Sequence, residues 1–292
     1  MDPWRMLKSQ RIRNLIPARV KAAYAENRVW LLPIARQTSV TNVYHCCVHK
    51  TGSQWIRKVL ADPVIYRRTG LRTYAPAIRQ EGGFDPRDYG DRRYPLAPPR
   101  RIVSPLYVNY SGFANMPKPA AWRAIFVMRD PRDLVVSWYF STLHSHPARK
   151  GLDLESRRRA LASLDEEQGL IYAIQWLAGR GLFDAVASWT DGRSGPDALI
   201  LRYEDLVGPD ADAWWARLLD HCDMRIDATE RAHLLDRYSF ESLSGRPRGQ
   251  EDRGSKYRKG VPGDWREHFT SPVLDAFAHT VPDLPAKLGY EE

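Results

Sequence analysis

Lys50, Thr51 and Ser53 surround Gly52 in the run His49-Lys50-Thr51-Gly52-Ser53-Gln54-Trp55, placing an ammonium and two hydroxyls where they could meet one multiply charged oxyanion. The chemistry suited to this set is phosphate binding. Gly52 permits the backbone geometry that close approach to a phosphate needs. The first N–H groups of a following helix would point at the anion, with the positive end of the helix behind them. Two further basic groups lie downstream: Arg129 in Arg129-Asp130-Pro131-Arg132-Asp133, with Ser137 about two helical turns on, and the Arg258-Lys259-Gly260 segment. Arginine offers a planar donor fork to phosphate and serine a short hydroxyl donor.

These groups need a scaffold. The run Val43–Val48 reads as a buried strand that breaks at the glycine turn and restarts as a helix from Trp55 to Leu60, ended by Asp62-Pro63. The pattern is not the Walker A loop, whose two glycines would fall at Tyr44 and His49. Residues 68–100 lack periodicity and read as a long functional loop. A strand resumes at Ile102-Val103-Ser104 and is expected to close at Pro105. Trp122–Met128 is an apolar run suited to a strand buried on both faces. Asp130 as N-cap and Pro131 in the first turn then start a helix through Phe140. Residues 152–190 are helical-hairpin material, and Ala198–Leu206 reads as another buried strand ending in Tyr203-Glu204-Asp205. Helices are expected at Ala211–Cys222, Ala228–Tyr238 and Ser271–Thr280, with residues 241–257 a flexible basic lid.

The 292 residues suffice for one α/β domain with insertions, and the formal net charge of +9 calls for an anionic partner: nucleic acid, anionic lipid or a small polyanion. Three cysteines, two of them adjacent in a buried strand, argue against a disulfide framework, and no metal-ligand spacing occurs. A reducing compartment follows. No secretory signal, transmembrane segment or membrane anchor is expected, because no apolar stretch is long enough. Residues 1–40 form a basic N-terminal arm, interrupted by Pro17 and Pro33. It is expected to pack on the domain of residues 41–292 or on a second subunit, the other reading being peripheral contact with a membrane surface.

The first motif resembles the 5′-phosphosulfate-binding loop of sulfotransferases, P-K-[ST]-G-[ST]-T-W, with His49 in place of the proline and Gln54 in place of the second threonine. Arg129 to Phe140 resembles the family's R-[DN]-P-[KR]-D-x-x-V-S-x-Y-x-F, departing only at its last position. Tyr203-Glu204-Asp205 resembles its Y-E-D, Tyr238-Ser239-Phe240 its T-S-F, and Arg258 to Thr270 its R-K-G-x-x-G-D-W-K-x-x-F-T. These stretches, in the right order, identify the chain as similar to the soluble sulfotransferases that use 3′-phosphoadenosine 5′-phosphosulfate (PAPS) and release adenosine 3′,5′-bisphosphate (PAP).

The resemblance implies an α/β, P-loop-like three-layer fold, with a central parallel sheet of about five strands and helices on both faces. It implies that Lys50, Thr51, Gly52, Ser53 and Gln54 hold the 5′-phosphate and that Trp55, Tyr203 and Phe240 contact the adenine end. It also implies that Arg129, Ser137, Arg258, Lys259 and Gly260 clamp the 3′-phosphate, and that Lys50 neutralises the leaving oxygen. Where the family carries a catalytic histidine in K-T-H-L-P, this chain has Ile102-Val103-Ser104-Pro105-Leu106. The expected base is therefore His146 or His144, with His49 a further candidate. The acceptor would be a small molecule or carbohydrate, in the cytoplasm, with no nucleic acid partner; a homodimer is compatible with the sequence. The other functional readings are a nucleotide-dependent kinase or NTPase on a related fold, and a non-catalytic anion-binding module.

Overall fold

The computed structural model describes residues 33–75, 94–146 and 154–290. Five strands form one all-parallel sheet, β1 (Asn42–Cys47), β2 (Arg72–Tyr74), β3 (Arg101–Tyr107), β4 (Trp122–Met128) and β5 (Ala198–Arg202), in the order β2-β3-β1-β4-β5. The chain leaves β1 to build one side of the sheet and later returns to build the other. That reversal opens a crevice at the carboxyl ends of the central strands, where open α/β sheets bind ligands.

Side-chain alternation produces the three layers. Along β4, Ala124, Phe126 and Met128 enter one apolar core and Ile125 and Val127 the other. The first core is completed by α4 (Pro131–Phe140), α5 (Leu154–Ala162), α6 (Glu166–Gly179), α7 (Leu182–Ala187) and α12 (Ser271–Thr280). The second is completed by α1 (Ser53–Leu60), α2 (Pro63–Thr69), α8 (Tyr203–Val207), α9 (Ala211–His221) and α10 (Ala228–Arg237). Shorter helices are α3 (Tyr110–Ala114), α11 (Phe240–Ser244) and α13 (Leu284–Lys287).

Three expectations are corrected. The loop expected over 68–100 contains β2, a three-residue edge strand aligned with Arg101–Val103; Arg-Thr-Tyr has no apolar run to announce it. β3 does not stop at Pro105 but continues to Tyr107. Its register with β1 shifts between Tyr44 and Cys46, so Ser104 and Pro105 together face His45, and a bulge accommodates the proline. The extra residue brings Val103 and Leu106, three apart, into the same core. Finally, Tyr203-Glu204-Asp205 opens a helix instead of ending a strand, with Glu204 accepting the Asp130 N–H at 3.0 Å.

Of the N-terminal arm, residues 1–32 lie outside the described residues. Its last part packs on the domain: Arg36, Thr38 and Ser39 all bond the Asp223 carboxylate, which is held below the usual carboxylate range because these bonds outweigh its burial. Cys46, Cys47 and Cys222 are buried free thiols.

Candidate active site

β1 ends in the loop that the sequence singled out. Lys50 (φ 72°) and Gly52 (φ 76°) are both left-handed, so the chain coils tightly before α1. Glycine adopts this conformation freely, whereas lysine bears about 1 kcal/mol of strain there, the kind that persists where surrounding structure fixes it. Gly52 is the N-cap of α1, and its carbonyl accepts from Trp55 and Ile56. A side chain at Gly52 would come within 3.0 Å of the Tyr203 ring, so that ring lies directly on the loop. Thr51 is buried and donates its hydroxyl to the Val48 carbonyl at 3.0 Å. Its proton therefore closes the loop instead of facing outward, leaving Ser53 and Gln54 as the side-chain hydroxyl and amide at the start of α1.

Cations converge on Lys50. Burial, then the charges of Arg129, Lys256 and Arg258, bring its ammonium down to about 7. Segments separated by some 80 and 200 positions in the chain thus act on one amine. Arg129, at the end of β4, reaches the Lys50 carbonyl at 3.4 Å and lies over the Tyr203 ring at 4.8 Å. Its Nε is buried without a hydrogen-bond partner among the described residues. A buried charged donor left unsatisfied is costly, and an anion at this point would satisfy it.

The Arg258-Lys259-Gly260 segment faces Arg129 across Asp133. Asp133, with a fully buried side chain, pairs with Arg129 at 3.2 Å and accepts the N–H groups of Gly263 (2.8 Å) and Trp265 (2.9 Å). One carboxylate therefore locks α4 to the distant C-terminal motif. Arg132 stacks over Trp265 at 3.8 Å while paired with Asp130. Arg258 and Lys259 are themselves held by carboxylates: Arg258 by Glu251 and Asp264, Lys259 by Asp264 (2.7 Å) and Glu267 (2.5 Å). Burial pushes the Asp264 carboxyl up, but hydrogen bonds from His268, Lys259 and Arg258 outweigh it and keep it well below the usual range. Arg258 also lies over the Phe140 ring at 4.5 Å. Ser137 is half-buried on α4, between Arg129 and Phe140 in the chain.

The aromatic groups gather on the α1 side. Trp55 donates from its indole to the Tyr238 carbonyl at 2.8 Å and meets Tyr203 edge-on, centroids 6.0 Å apart. That bond ties α1 to the segment bearing Phe240, whose ring packs on Gly260 so closely that a Cβ there would overlap it. Gly260 is also left-handed, at φ 75°. The loop expected to be a flexible lid contains α11 and is braced by Arg246, which donates to the carbonyls of Gln250, Tyr257 and Arg258.

His144 and His146 end the π-helical turn Ser141–Ser145, and both are exposed. His144 lies beside Phe140 at 6.2 Å between centroids, and the same ring is approached by Arg253, Arg258 and His268. His146 accepts from Arg158 through its carbonyl. His49 instead stacks on Tyr107, centroids 4.3 Å apart and planes 3° from parallel.

Sequence reasoning passed over Tyr107 and the anchoring role of Asp133. Tyr107 follows a proline expected to end its strand, and Asp133 looks like any first-turn acid. Yet the Tyr107 hydroxyl meets Ser53 Oγ at 3.0 Å and accepts from Gln54 at 3.3 Å. Either hydroxyl can donate across the Ser53–Tyr107 contact, and the serine proton is available for an anion when Tyr107 is the donor.

A glycine turn on a helix N-terminus, an amine surrounded by cations and a buried guanidinium with one unsatisfied N–H define an α/β enzyme site for a polyanionic nucleotide. Residues 43–284 match the model of the sulfotransferase domain, and the chain belongs to that family. It is 26% identical to mouse Sulfotransferase 2A2 over 247 residues, 78% of each chain, and 26% identical to human Sulfotransferase 2A1 over 261 residues, 82% of this chain and 84% of that one. Among solved structures it superposes on mouse sulfotransferase SULT7A1 complexed with PAP, with TM-score 0.58, 18% identity and coverage of 91% and 90%. Retinol dehydratase with androsterone and inactive cofactor PAP gives TM-score 0.51 at 15% identity, covering 86% of this chain and 82% of that one. These likenesses agree with the parallel P-loop-like architecture.

Proposed function

We propose that this enzyme moves the sulfuryl group of PAPS to a hydroxyl, or an amine, of a small-molecule or carbohydrate acceptor by in-line displacement. The observation that carries the reading is the convergence of Arg129, Lys256 and Arg258 on the half-buried Lys50 amine, a charge excess that a bisphosphorylated nucleotide would neutralise. The donor set fits the group: the unsatisfied Arg129 Nε, the Ser53 and Gln54 side chains, and two glycines whose missing Cβ atoms leave room beside Tyr203 and Phe240. PAPS supplies an activated sulfuryl group. In this reading Lys50 offsets charge on the oxygen from which sulfur departs. Ser53, Gln54 and the loop amides hold the 5′-phosphate, and Arg129, Ser137, Arg258, Lys259 and the Gly260 backbone hold the 3′-phosphate. Trp55, Tyr203 and Phe240 pack against the base.

The acceptor class is supported by retinol dehydratase, whose structures hold androsterone or retinol beside PAP. No helix among the described residues is long and apolar enough to cross a membrane. Calorimetric titration of PAP and of ATP tests the cofactor assignment, because a 3′-phosphate clamp has no use for ATP. Equal affinity for both would defeat it. A screen of alcohols, phenols, amines and sugars with labelled PAPS then finds the acceptor; PAP binding without transfer to any of them would favour a non-catalytic anion-binding module.

A further inference from the structure

The acceptor proton needs a receiver, and β3, where the family carries one, offers Ser104 inside a bulge and buried against His45, with Nδ1 and Oγ 2.8 Å apart. Burial brings His45 down to about 3, so it stays neutral within the sheet. The end of β3 is Tyr107, level with Cys47 at the end of β1. Its hydroxyl is committed to Ser53 and Gln54, and its pKa is pushed up to about 12, first by burial. At neutral pH such a phenol keeps its proton and cannot serve as the base.

One imidazole stands over this ring. His49 is the residue before Lys50, and its ring is coplanar with Tyr107 at stacking distance. Tyr107 reaches Ser53 and Gln54, the first residues of α1, so its ring spans from the cradle to the His49 imidazole. The imidazole is thereby fixed on the β3 side of the phosphate loop, opposite the Arg129–Tyr203 side. His144 and His146, by contrast, make their described contacts with Phe140, Ser141 and Arg158, in the neighbourhood of the Arg258 clamp.

We propose that His49, held flat by Tyr107, is the general base of the transfer, so that this chain carries on the phosphate loop the function that the family places on the neighbouring strand. This rests on the sulfotransferase reading and goes further by naming the residue. In the step, a lone pair of the acceptor oxygen forms the new O–S bond. The S–O bond to the 5′-phosphate breaks, its electron pair leaving on the phosphate oxygen beside Lys50. The acceptor proton passes to an imidazole nitrogen of His49 and afterwards to water. Among the described residues, the titratable and charged groups around the pair include Lys50, next in the chain, and Tyr107, with Arg57 and Cys47 acting on the Tyr107 phenol. Tyr107 is a positioning residue: it orients the imidazole through ring stacking while its hydroxyl bonds Ser53 and Gln54 of the cradle.

The test needs no knowledge of the acceptor, because water can serve as one. Labelled PAPS is incubated with stoichiometric full-length enzyme, and sulfate release is followed from pH 5 to 9 beside PAP affinity by calorimetry. For His49→Gln, which keeps a planar polar group against Tyr107, a loss of 100-fold or more is expected, within the usual range for a positioned base. The acid limb of the profile should vanish while PAP affinity stays within threefold of the parent. Added imidazole should restore part of the rate to His49→Ala. His144→Gln and His146→Gln should retain the parental acid limb. A persistent acid limb in His49→Gln, a fall in rate matched by an equal fall in PAP affinity, or loss of the limb in His144→Gln or His146→Gln would each overturn the assignment. Failure of the parent itself to bind PAP would instead strike at the cofactor reading.

Discussion

Asp133→Asn isolates the group that joins the two halves of the proposed 3′-phosphate clamp. The carboxylate uses both oxygens: Oδ1 accepts the Trp265 N–H, and Oδ2 accepts the Gly263 N–H and faces Arg129. An isosteric amide keeps the shape but turns one acceptor into a donor. Whichever way it is flipped, its NH2 confronts either Trp265 N–H or the pair formed by Gly263 N–H and Arg129. One charge-assisted hydrogen bond, about 1.5–3 kcal/mol, is lost, and a buried N–H is left unsatisfied at a cost of about 1–3 kcal/mol. Arg129, whose side chain is 12% exposed, also loses its counter-charge. A total of about 3–5 kcal/mol is expected, as for other broken buried ion pairs. Urea unfolding should show this loss, and PAP affinity should fall because the 258–265 segment is no longer anchored to α4. Arg129→Ala is the comparison: it spares both backbone bonds of Asp133, so it should weaken PAP binding at a smaller cost in stability. Stability of Asp133→Asn within about 1 kcal/mol of the parent, together with unchanged PAP affinity, would refute the anchoring role, since the buried bonds counted here are worth more than that.

Lys50→Ala should lower turnover about 100- to 1,000-fold, as for removal of one preorganised donor to developing charge, with a much smaller effect on PAP affinity; a proportional loss in both would mean that Lys50 only binds. The same amine sits at about 7 in the free protein, so PAP should bind with proton uptake at pH 8. Affinity should fall as pH rises above about 7, while below it Lys50 is protonated in both states and contributes no slope. Calorimetry in buffers of different ionisation enthalpy measures the uptake, and none at pH 8 would contradict a bound ammonium. Gly260→Ala should cost about 1–2 kcal/mol for the left-handed backbone and displace Phe240, weakening PAP. A stable variant that binds PAP normally would place Phe240 outside the site.

Much of this molecule was legible in one dimension because its chemistry is local. The phosphate loop, α1 and the Asp130-Pro131 start of α4 depend on neighbours a few residues apart, as caps, glycine turns and apolar runs do. The strand expected at Trp122–Met128 and the helices expected at Pro131–Phe140 and Ser271–Thr280 are present over those residues. The reading stumbled where a non-local pairing overrode local grammar. β3 runs through Pro105 because a bulge in β3 keeps its pairing with β1 on either side. β2 exists because Arg101–Val103 offers a free edge, and Tyr203 turns helical where Glu204 meets Asp130.

The sequence by itself determined a basic chain with a glycine turn ahead of a helix and two further basic segments downstream, since charge and turn chemistry travel with residue type. Only the tertiary structure decided which groups answer to one another. Parallel pairing brings the ends of β1, β3 and β4 to one edge of the sheet, so Lys50 gains Arg129 as a neighbour, Asp133 captures a turn 130 residues away, and His49 acquires the Tyr107 ring as its support. Burial and Coulomb interactions act through space, and the order of strands in the sheet sets which residues share that space.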